Sequence, residues 1–155
     1  MHLGEFSEQV RDNPAAHIVC EIEDRIDWGD SGFEGTDAFN LSFYMQDNGT
    51  RHRIGYAEAA LDHKAGEFYL VAFYPHANLE GAKRRGLGTA ANLAMLQKLQ
   101  SMDQRMPTYT FEATEITSPE MGKFLSSMGI SFGDTLDACL RKASAFAVHK
   151  RYMRN

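Results

Sequence analysis

Hydrophobic and polar residues alternate with a period of two over much of the first half of the chain, which is the period of a β-strand. Residues 17–26, 39–46 and 51–62 follow this pattern. Asn48 and Gly49 lie between the last two segments, and this pair is a strong signal for a two-residue hairpin turn. The sequence therefore predicts one strand followed by an antiparallel hairpin.

The second half of the chain changes to helical spacing. An uncharged aliphatic and aromatic run at 68–74 predicts a buried strand. From about residue 86 the apolar residues recur at intervals of three and four, which predicts a helix as far as about residue 104. We also predict a strand at about 108–114 and a helix at 119–128. Apolar residues at 136–147 have helical spacing, which suggests a last helix, but this pattern does not decide between a helix and two closing strands.

Length and composition set the class of protein. A chain of 155 residues is expected to form one domain and to bury around two thirds of its unfolded surface. It has two cysteines, which predicts reduced thiols and, without a visible secretory leader, a cytoplasmic location. No apolar stretch approaches the roughly 20 residues that cross a bilayer, so no membrane association is expected.

The stretch KRRGLGTA, at the start of the long predicted helix, combines two glycines with three basic residues. The N–H groups of a first helical turn have no partner of their own, and the helix dipole adds positive character there. Glycines in that turn let a phosphate approach the bare backbone. The residues predicted to bind an anion are Lys83, Arg84, Arg85, Gly86, Leu87, Gly88, Thr89 and Ala90.

The same glycines also fit, in part, a solvated loop, a P-loop and a dinucleotide-binding fingerprint. A loop with solvated basic residues explains the spacing alone about equally well. The GxxxxG spacing of a P-loop begins at Gly81, but Leu87 stands where that motif needs lysine. Residues 86–91 fit the relaxed dinucleotide fingerprint, yet roughly ten residues separate the preceding strand from Gly86, whereas that fingerprint follows its strand in a tight turn.

Two segments resemble the motifs of the GNAT N-acetyltransferase superfamily. The glycine stretch resembles the pyrophosphate-binding motif [Gln/Arg]-x-x-Gly-x-[Gly/Ala], with Lys83 at the first position. The later segment SPEMGKFLSSMGISF resembles Asn-x-x-Ala-x-x-x-Tyr-x-x-x-Gly-Phe, with Ser118 at the Asn position, Leu125 at the Tyr position and Gly129 at the Gly position. The resemblance covers roughly residues 39–132, and both motifs occur in the expected order.

The resemblance implies a single acyl-CoA-binding domain over residues 1–155, with a mixed, mostly antiparallel central sheet flanked by helices. It implies acetyl-CoA as cofactor and direct transfer of the acetyl group to an amine. The strand before the phosphate loop would be broken near Phe73 and Tyr74, where a backbone N–H would face the thioester oxygen. Ser118 would also belong to the cofactor site.

The catalytic residues are less clearly indicated. Glu112 follows the pattern of a strand residue that shares a face with Thr110 and Thr114, so it either faces a site as a catalytic carboxylate or belongs to a solvent-facing row. In the resembling family the tyrosine often donates a proton to the departing thiolate, which Leu125 cannot do. A catalytically silent acyl-CoA-binding or protein-interaction module therefore stands as the alternative to an enzyme.

Charge indicates the kind of partner. The net charge of −5 argues against general nucleic-acid binding, although KRRG and the basic C-terminal tail leave that role as a weaker alternative. The segment 21–37 is rich in carboxylates and forms either a rim that attracts a cationic amine, on a small molecule or a protein, or a solvated loop. The histidines lack metal-ligand spacing, so no metal site is expected. The sequence does not decide between a monomer and a homodimer.

Overall fold

The computed structural model describes residues 3–26, 36–75, 86–112 and 119–154. These ranges contain four α-helices, five strands and three short 3-10 turns. The 3-10 turns are Leu3–Glu5, Pro14–His17 and Met106–Thr108. The longer elements are α1 (Glu8–Asp12), β1 (Ile18–Ile26), β2 (Thr36–Asp47), β3 (Thr50–Asp62), β4 (Glu67–Pro75), α2 (Leu87–Gln100), β5 (Thr110–Phe111), α3 (Pro119–Ser127) and α4 (Leu136–Arg154).

The five strands form one sheet in the order β1-β2-β3-β4-β5. The first four strands are an antiparallel meander, and β5 lies parallel to β4, with Glu67 beside Thr110 and Phe68 beside Phe111. Parallel neighbours need a crossover connection, and α2 lies in the connection between β4 and β5. The predicted fold class, a mixed and mostly antiparallel sheet flanked by helices, is confirmed.

The two faces of the sheet differ in composition. On β2, the alternate residues Phe39, Leu41, Phe43 and Met45 are almost completely buried and belong to a hydrophobic cluster that includes apolar residues of all four helices. Burial of each such side chain contributes about 1.5 to 3 kcal/mol. We call this surface the core face; the opposite surface of the sheet carries the polar residues.

The predicted hairpin is confirmed. β2 and β3 are joined through Asn48 and Gly49, whose φ angles of 49° and 82° both lie in the left-handed region. A two-residue turn with both central residues at positive φ matches the twist of the strands it joins. Asparagine tolerates this backbone conformation and glycine adopts it without steric cost, which is why the sequence signal was reliable here.

The ends of two predicted elements differ from the structure. α2 ends at Gln100 rather than at about residue 104, because the Ser101 N–H bonds back to the carbonyls of both Gln97 and Lys98 and thereby closes the last turn. In the described residues β5 pairs with β4 only through Thr110 and Phe111. The start of the predicted strand is wrong, since Thr108 ends the 3-10 turn Met106–Thr108 and β5 begins only at Thr110. Glu112 follows β5, and residues 113–114 lie outside the described ranges.

The last part of the chain departs from the GNAT resemblance. α3 ends in a Schellman motif, in which Ile130 N–H bonds to Leu125 O and Gly129 N–H bonds to Ser126 O, with Gly129 at φ 79°. The final element is the helix α4, as helical spacing suggests, where that family usually has two closing strands. A short bridge from Thr135 to Thr110 is the pairing on the outer edge of β5 within the described residues.

A long-range polar contact joins three parts of the fold that lie away from the start of α2 in the sequence. His63, in the turn after β3, places Nδ1 2.8 Å from the Tyr109 hydroxyl and Nε2 3.0 Å from Oδ2 of Asp37. Tyr109 is 2% exposed, so its hydroxyl depends on this contact. With the proton on Nε2, the ring donates to the carboxylate and accepts from the phenol, which satisfies all three groups.

We expect His63→Phe to lower the free energy of unfolding by about 1 to 3 kcal/mol, because the substitution leaves a buried hydroxyl without a partner. Urea denaturation of the purified variant measures this. The double variant with Tyr109→Phe removes both members of the pair and should recover part of the loss. Equal stability of His63→Phe and the native protein would show that the contact does not stabilise the fold.

Candidate functional site

The start of α2 has the features of an anion-binding helix terminus. Gly86 is the N-cap residue, with φ 79°, and it provides no side-chain cap. The hydrogen bond from Ala90 N–H to Gly86 O, 2.9 Å long, closes the first turn. The backbone N–H groups of Leu87, Gly88 and Thr89 come before it and therefore have no carbonyl to bind within the helix. A phosphate oxygen is a suitable partner for such groups.

Two buried polar atoms lie on α2 within its first two turns. Thr89 and Asn92 are each 4% exposed, and Thr89 Oγ1 and Asn92 Oδ1 have no hydrogen-bond partner. Asn92 Nδ2 lies 3.8 Å from Met128 Sδ at the end of α3. Burying a hydroxyl without a partner is costly. The Thr89 hydroxyl can donate to a ligand oxygen at the helix start, so the residues present fit a phosphate group.

Helix α3 contacts both the start of α2 and the strand β4. A Cβ atom placed on Gly88 would lie 3.5 Å from Cζ of the Phe124 ring, so the two helices touch at this glycine. α3 also contacts β4. In a strand-helix-strand unit with parallel strands, the helix runs back along the sheet and begins near the carboxyl end of the first strand. From this general geometry we expect the anion-binding turn at the end of the sheet where β4 finishes; within the described residues α2 itself packs mainly against α4 and β1.

β4 contains a β-bulge. Glu58 pairs with Ala72 and Ala59 pairs with Leu70, so Val71 is an extra residue with no partner on β3. Such a residue is left out of the ladder, and its backbone is free to point elsewhere. Phe73 and Tyr74, where we predicted the break, instead pair regularly with β3. The break is therefore in the predicted strand but two residues earlier, at Val71.

The face of the sheet opposite the core face has a mixed polar and aromatic surface. Antiparallel partners share a face, and the pairs Asn40 with Glu58 and Ser42 with Tyr56 lie on the surface away from the core face. Tyr69 pairs with Ala60 on the same surface, and Glu112 alternates with the buried Phe111. We call this surface the polar face and define it by Asn40, Ser42, Tyr56, Glu58, Tyr69 and Glu112.

Tyrosines on the polar face are bonded to carboxylates. The Tyr69 hydroxyl donates to Glu67, 2.5 Å away, and burial, followed by this hydrogen bond and the charges of Glu67, Asp62 and Glu112, raises the pKa of Tyr69 well above its usual range. Tyr44 donates to Glu23, and that hydrogen bond is the main reason that its pKa is raised. Both phenols are therefore held neutral, as donors committed to a carboxylate.

The acidic segment 21–37 is described only at its two ends. Glu21 pairs with Arg51 at 3.4 Å and with Lys98 at 3.6 Å. Glu23 accepts from Tyr44, and Asp37 pairs with His63. These three carboxylates already have partners in the fold. Residues 27–35 lie outside the described ranges, so the predicted rim stays a prediction.

The other predicted site residues separate into three groups. Gly86, Leu87, Gly88, Thr89 and Ala90 lie together in the first turn of α2, as predicted. Glu112 lies on the polar face beside Tyr69, on the same side of the sheet as Thr110. The predicted cofactor residues Lys83, Arg84, Arg85 and Ser118 lie outside the described residues.

Sequence reasoning did not single out Asn40 and Glu58, which are cross-strand neighbours on the polar face. Glu58 lies directly beside the bulged part of β4, and Asn40 is its partner on β2. The alternation that places these side chains on one face is visible in the segment 51–62, where Tyr56 and Glu58 alternate with Ala57 and Ala59. Alternation alone gives the face of a residue, but the partner across the sheet follows only from the register.

In comparisons with protein-family models, curated proteins and solved structures, none matched this chain. Among the helices in the described ranges, none has the length and apolar character needed to span a membrane.

Proposed function

We propose that this protein is an acetyl-CoA-dependent N-acetyltransferase that transfers the acetyl group directly to an amine. The observation that carries the proposal is the connection from β4 to β5. A bulged strand is followed by a helix that starts at glycine without a side-chain cap, and the helix leads to a strand parallel to the first. This arrangement resembles the cofactor-binding half of the GNAT N-acetyltransferases.

Each part of the connection has a role in this proposal. The backbone N–H groups of Leu87, Gly88 and Thr89, with the Thr89 hydroxyl, would hold the pyrophosphate of coenzyme A. When bound, acetyl-CoA supplies an activated acetyl group as a thioester. The backbone of Val71, freed from the ladder by the bulge, would donate a hydrogen bond to an oxygen that gains negative charge during transfer. Glu112, on the polar face, would serve as a proton acceptor.

Direct attack by the amine is favoured over an acyl-enzyme route through the two cysteines. Burial raises the pKa of the Cys20 thiol and of the Cys139 thiol to about 12. The thiolate is the nucleophilic form of cysteine, and at such pKa values almost none is present at neutral pH. Both side chains are also buried in the hydrophobic cluster.

The alternative is a catalytically silent acyl-CoA-binding or protein-interaction module on the same fold. Leu125 supports it, because this residue stands at the position of the family's proton-donating tyrosine and is 1% exposed within the core. A core leucine supplies no proton to a departing thiolate, so in the enzyme that proton would come from water. Binding of acetyl-CoA without turnover would favour this alternative.

We expect coenzyme A and acetyl-CoA to raise the melting temperature of the protein, whereas NAD and oligonucleotides should not, because a ligand of the folded state stabilises it. Release of free thiol from acetyl-CoA on addition of an alkylamine then separates the enzyme from the silent module. A thermal shift with NAD or an oligonucleotide, and none with coenzyme A, would contradict the proposal.

A further inference from the structure

Two facing residues of the polar face, Glu58 and Asn40, carry hydrogen-bond acceptors that lack donors. Glu58 is half-buried, and no hydrogen bond or ion pair of its carboxylate occurs in the described part of the chain. Asn40, its direct partner across the sheet, has its Oδ1 atom buried with no hydrogen bond. Direct cross-strand neighbours have Cβ atoms about 4.5 to 5.5 Å apart, so both acceptors can reach one small group.

The residues next to this pair are small or aromatic. The next pair on the same face is Ala38 with Ala60. Both alanines are buried but are not part of the hydrophobic core cluster, since they lie on the polar face. Tyr56, two residues before Glu58 on β3, and Tyr69, the partner of Ala60 on β4, are half-buried on the same surface. Glu58 and Asn40 are therefore polar groups in a partly covered region of the sheet between two tyrosines.

The chemistry of Glu58 and Asn40 indicates which kind of ligand they can bind. Two acceptors, one of them negatively charged, are complemented by a cation with several N–H donors, and a primary ammonium has three donors on one atom. Hydrogen bonds with an ionised partner are stronger than neutral ones. Glu67 already accepts from Tyr69, and Glu112 follows β5 on the far side of β4. Glu58 is therefore the carboxylate directly across from Asn40.

We infer that Glu58 and Asn40 bind the primary ammonium group of an alkylamine, and that Glu58 determines the specificity of the protein for cationic acceptors. The role as an acceptor site rests on the proposed function. Glu58 pairs with Ala72, immediately beside the Val71 bulge. An amine held there would lie next to the backbone proposed to face the thioester. This placement locates the cationic substrate on the sheet rather than on the segment 21–37.

Amine binding can be tested without turnover by NMR titration of the full-length protein with n-butylammonium chloride. We expect saturable shifts at the backbone amides of Asn40 and Glu58, and an affinity about tenfold lower in Glu58→Gln, which keeps the size of the side chain but removes its charge. Glu8→Gln is the matched control, because it removes one negative charge from an exposed position on α1. n-Butanol should produce no such shifts.

Calorimetry with coenzyme A on the same proteins distinguishes a failure of the amine site from a failure of the proposed function. The Glu58→Gln protein should bind coenzyme A as the native protein does. If coenzyme A binds but n-butylammonium produces no saturable shifts, or binds Glu58→Gln equally well, the amine site is refuted and the proposed function stands. If n-butylammonium behaves as expected but coenzyme A does not bind, the amine site stands and the proposed function fails.

Discussion

Gly88→Val should lower the affinity of the protein for coenzyme A by about a hundredfold or more. A valine side chain would occupy the space through which a phosphate approaches the N–H groups of the first turn, and each hydrogen bond to a charged group contributes about 1.5 to 3 kcal/mol. Loss of one or two such bonds accounts for the expected change. Isothermal titration calorimetry measures the affinity directly.

The chain offers a matched control for this substitution. Gly122 lies inside α3, and a Cβ atom added there meets no other atom within 4 Å, so Gly122→Val introduces the same side chain at a position of the neighbouring helix that has open space around it. Its affinity for coenzyme A should stay within a factor of about two of the native value. Unchanged affinity in Gly88→Val, with a native circular dichroism spectrum, would refute the assignment of the phosphate site.

Gly88 packs against Phe124, so the valine variant could also lose stability. Gly88→Ala addresses this, because its Cβ would make an ordinary van der Waals contact, 3.5 Å from the Phe124 ring, and alanine is favoured over glycine in a helix by about 1 kcal/mol. We expect this variant to be at least as stable as the native protein and to bind coenzyme A more weakly, with a smaller loss than in the valine variant.

Leu125→Ala should lower the free energy of unfolding by about 2 to 5 kcal/mol, because it removes a fully buried side chain and leaves a cavity in the core. Leu125 is 1% exposed and packs in the cluster shared by the helices and the sheet. Urea denaturation gives the value. The affinity of the folded fraction for coenzyme A should not change, since the side chain lies in the core rather than in the site.

The neighbouring residue provides the control. Ser126→Ala, at an exposed position of the same helix, should change stability by less than about 0.5 kcal/mol. A loss of coenzyme A affinity in Leu125→Ala without loss of stability would instead place residue 125 in the site, as the GNAT resemblance implies for the tyrosine position. The same burial predicts that Leu125→Tyr would overpack the core rather than supply a proton donor.

Local signals in the sequence predicted those elements whose geometry depends on a few adjacent residues. Asn48 and Gly49 determine the hairpin turn because they adopt positive φ, and Gly86 begins α2 for the same reason. The Gly129 helix stop is a further example. In each case the backbone conformation is demanding enough that few residue types satisfy it, so residue identity is sufficient evidence.

Features that depend on the pairing of distant segments were not predictable. The run 68–74 is apolar throughout, so nothing in it distinguishes Val71 as the extra residue. The bulge is a property of the register between β3 and β4. Likewise Glu58 meets Asn40, and His63 meets Tyr109 and Asp37, only because the folded sheet brings these distant segments together.

The central claim, that the first turn of α2 binds the pyrophosphate of coenzyme A, is tested most directly by titrating the isotope-labelled native protein with coenzyme A and following its backbone amides by NMR. We expect the largest saturable shifts at Leu87, Gly88 and Thr89, with much smaller ones at the opposite end of the helix near Gln100. Absence of shifts at these three amides, or a set of larger shifts on another element, would contradict the claim.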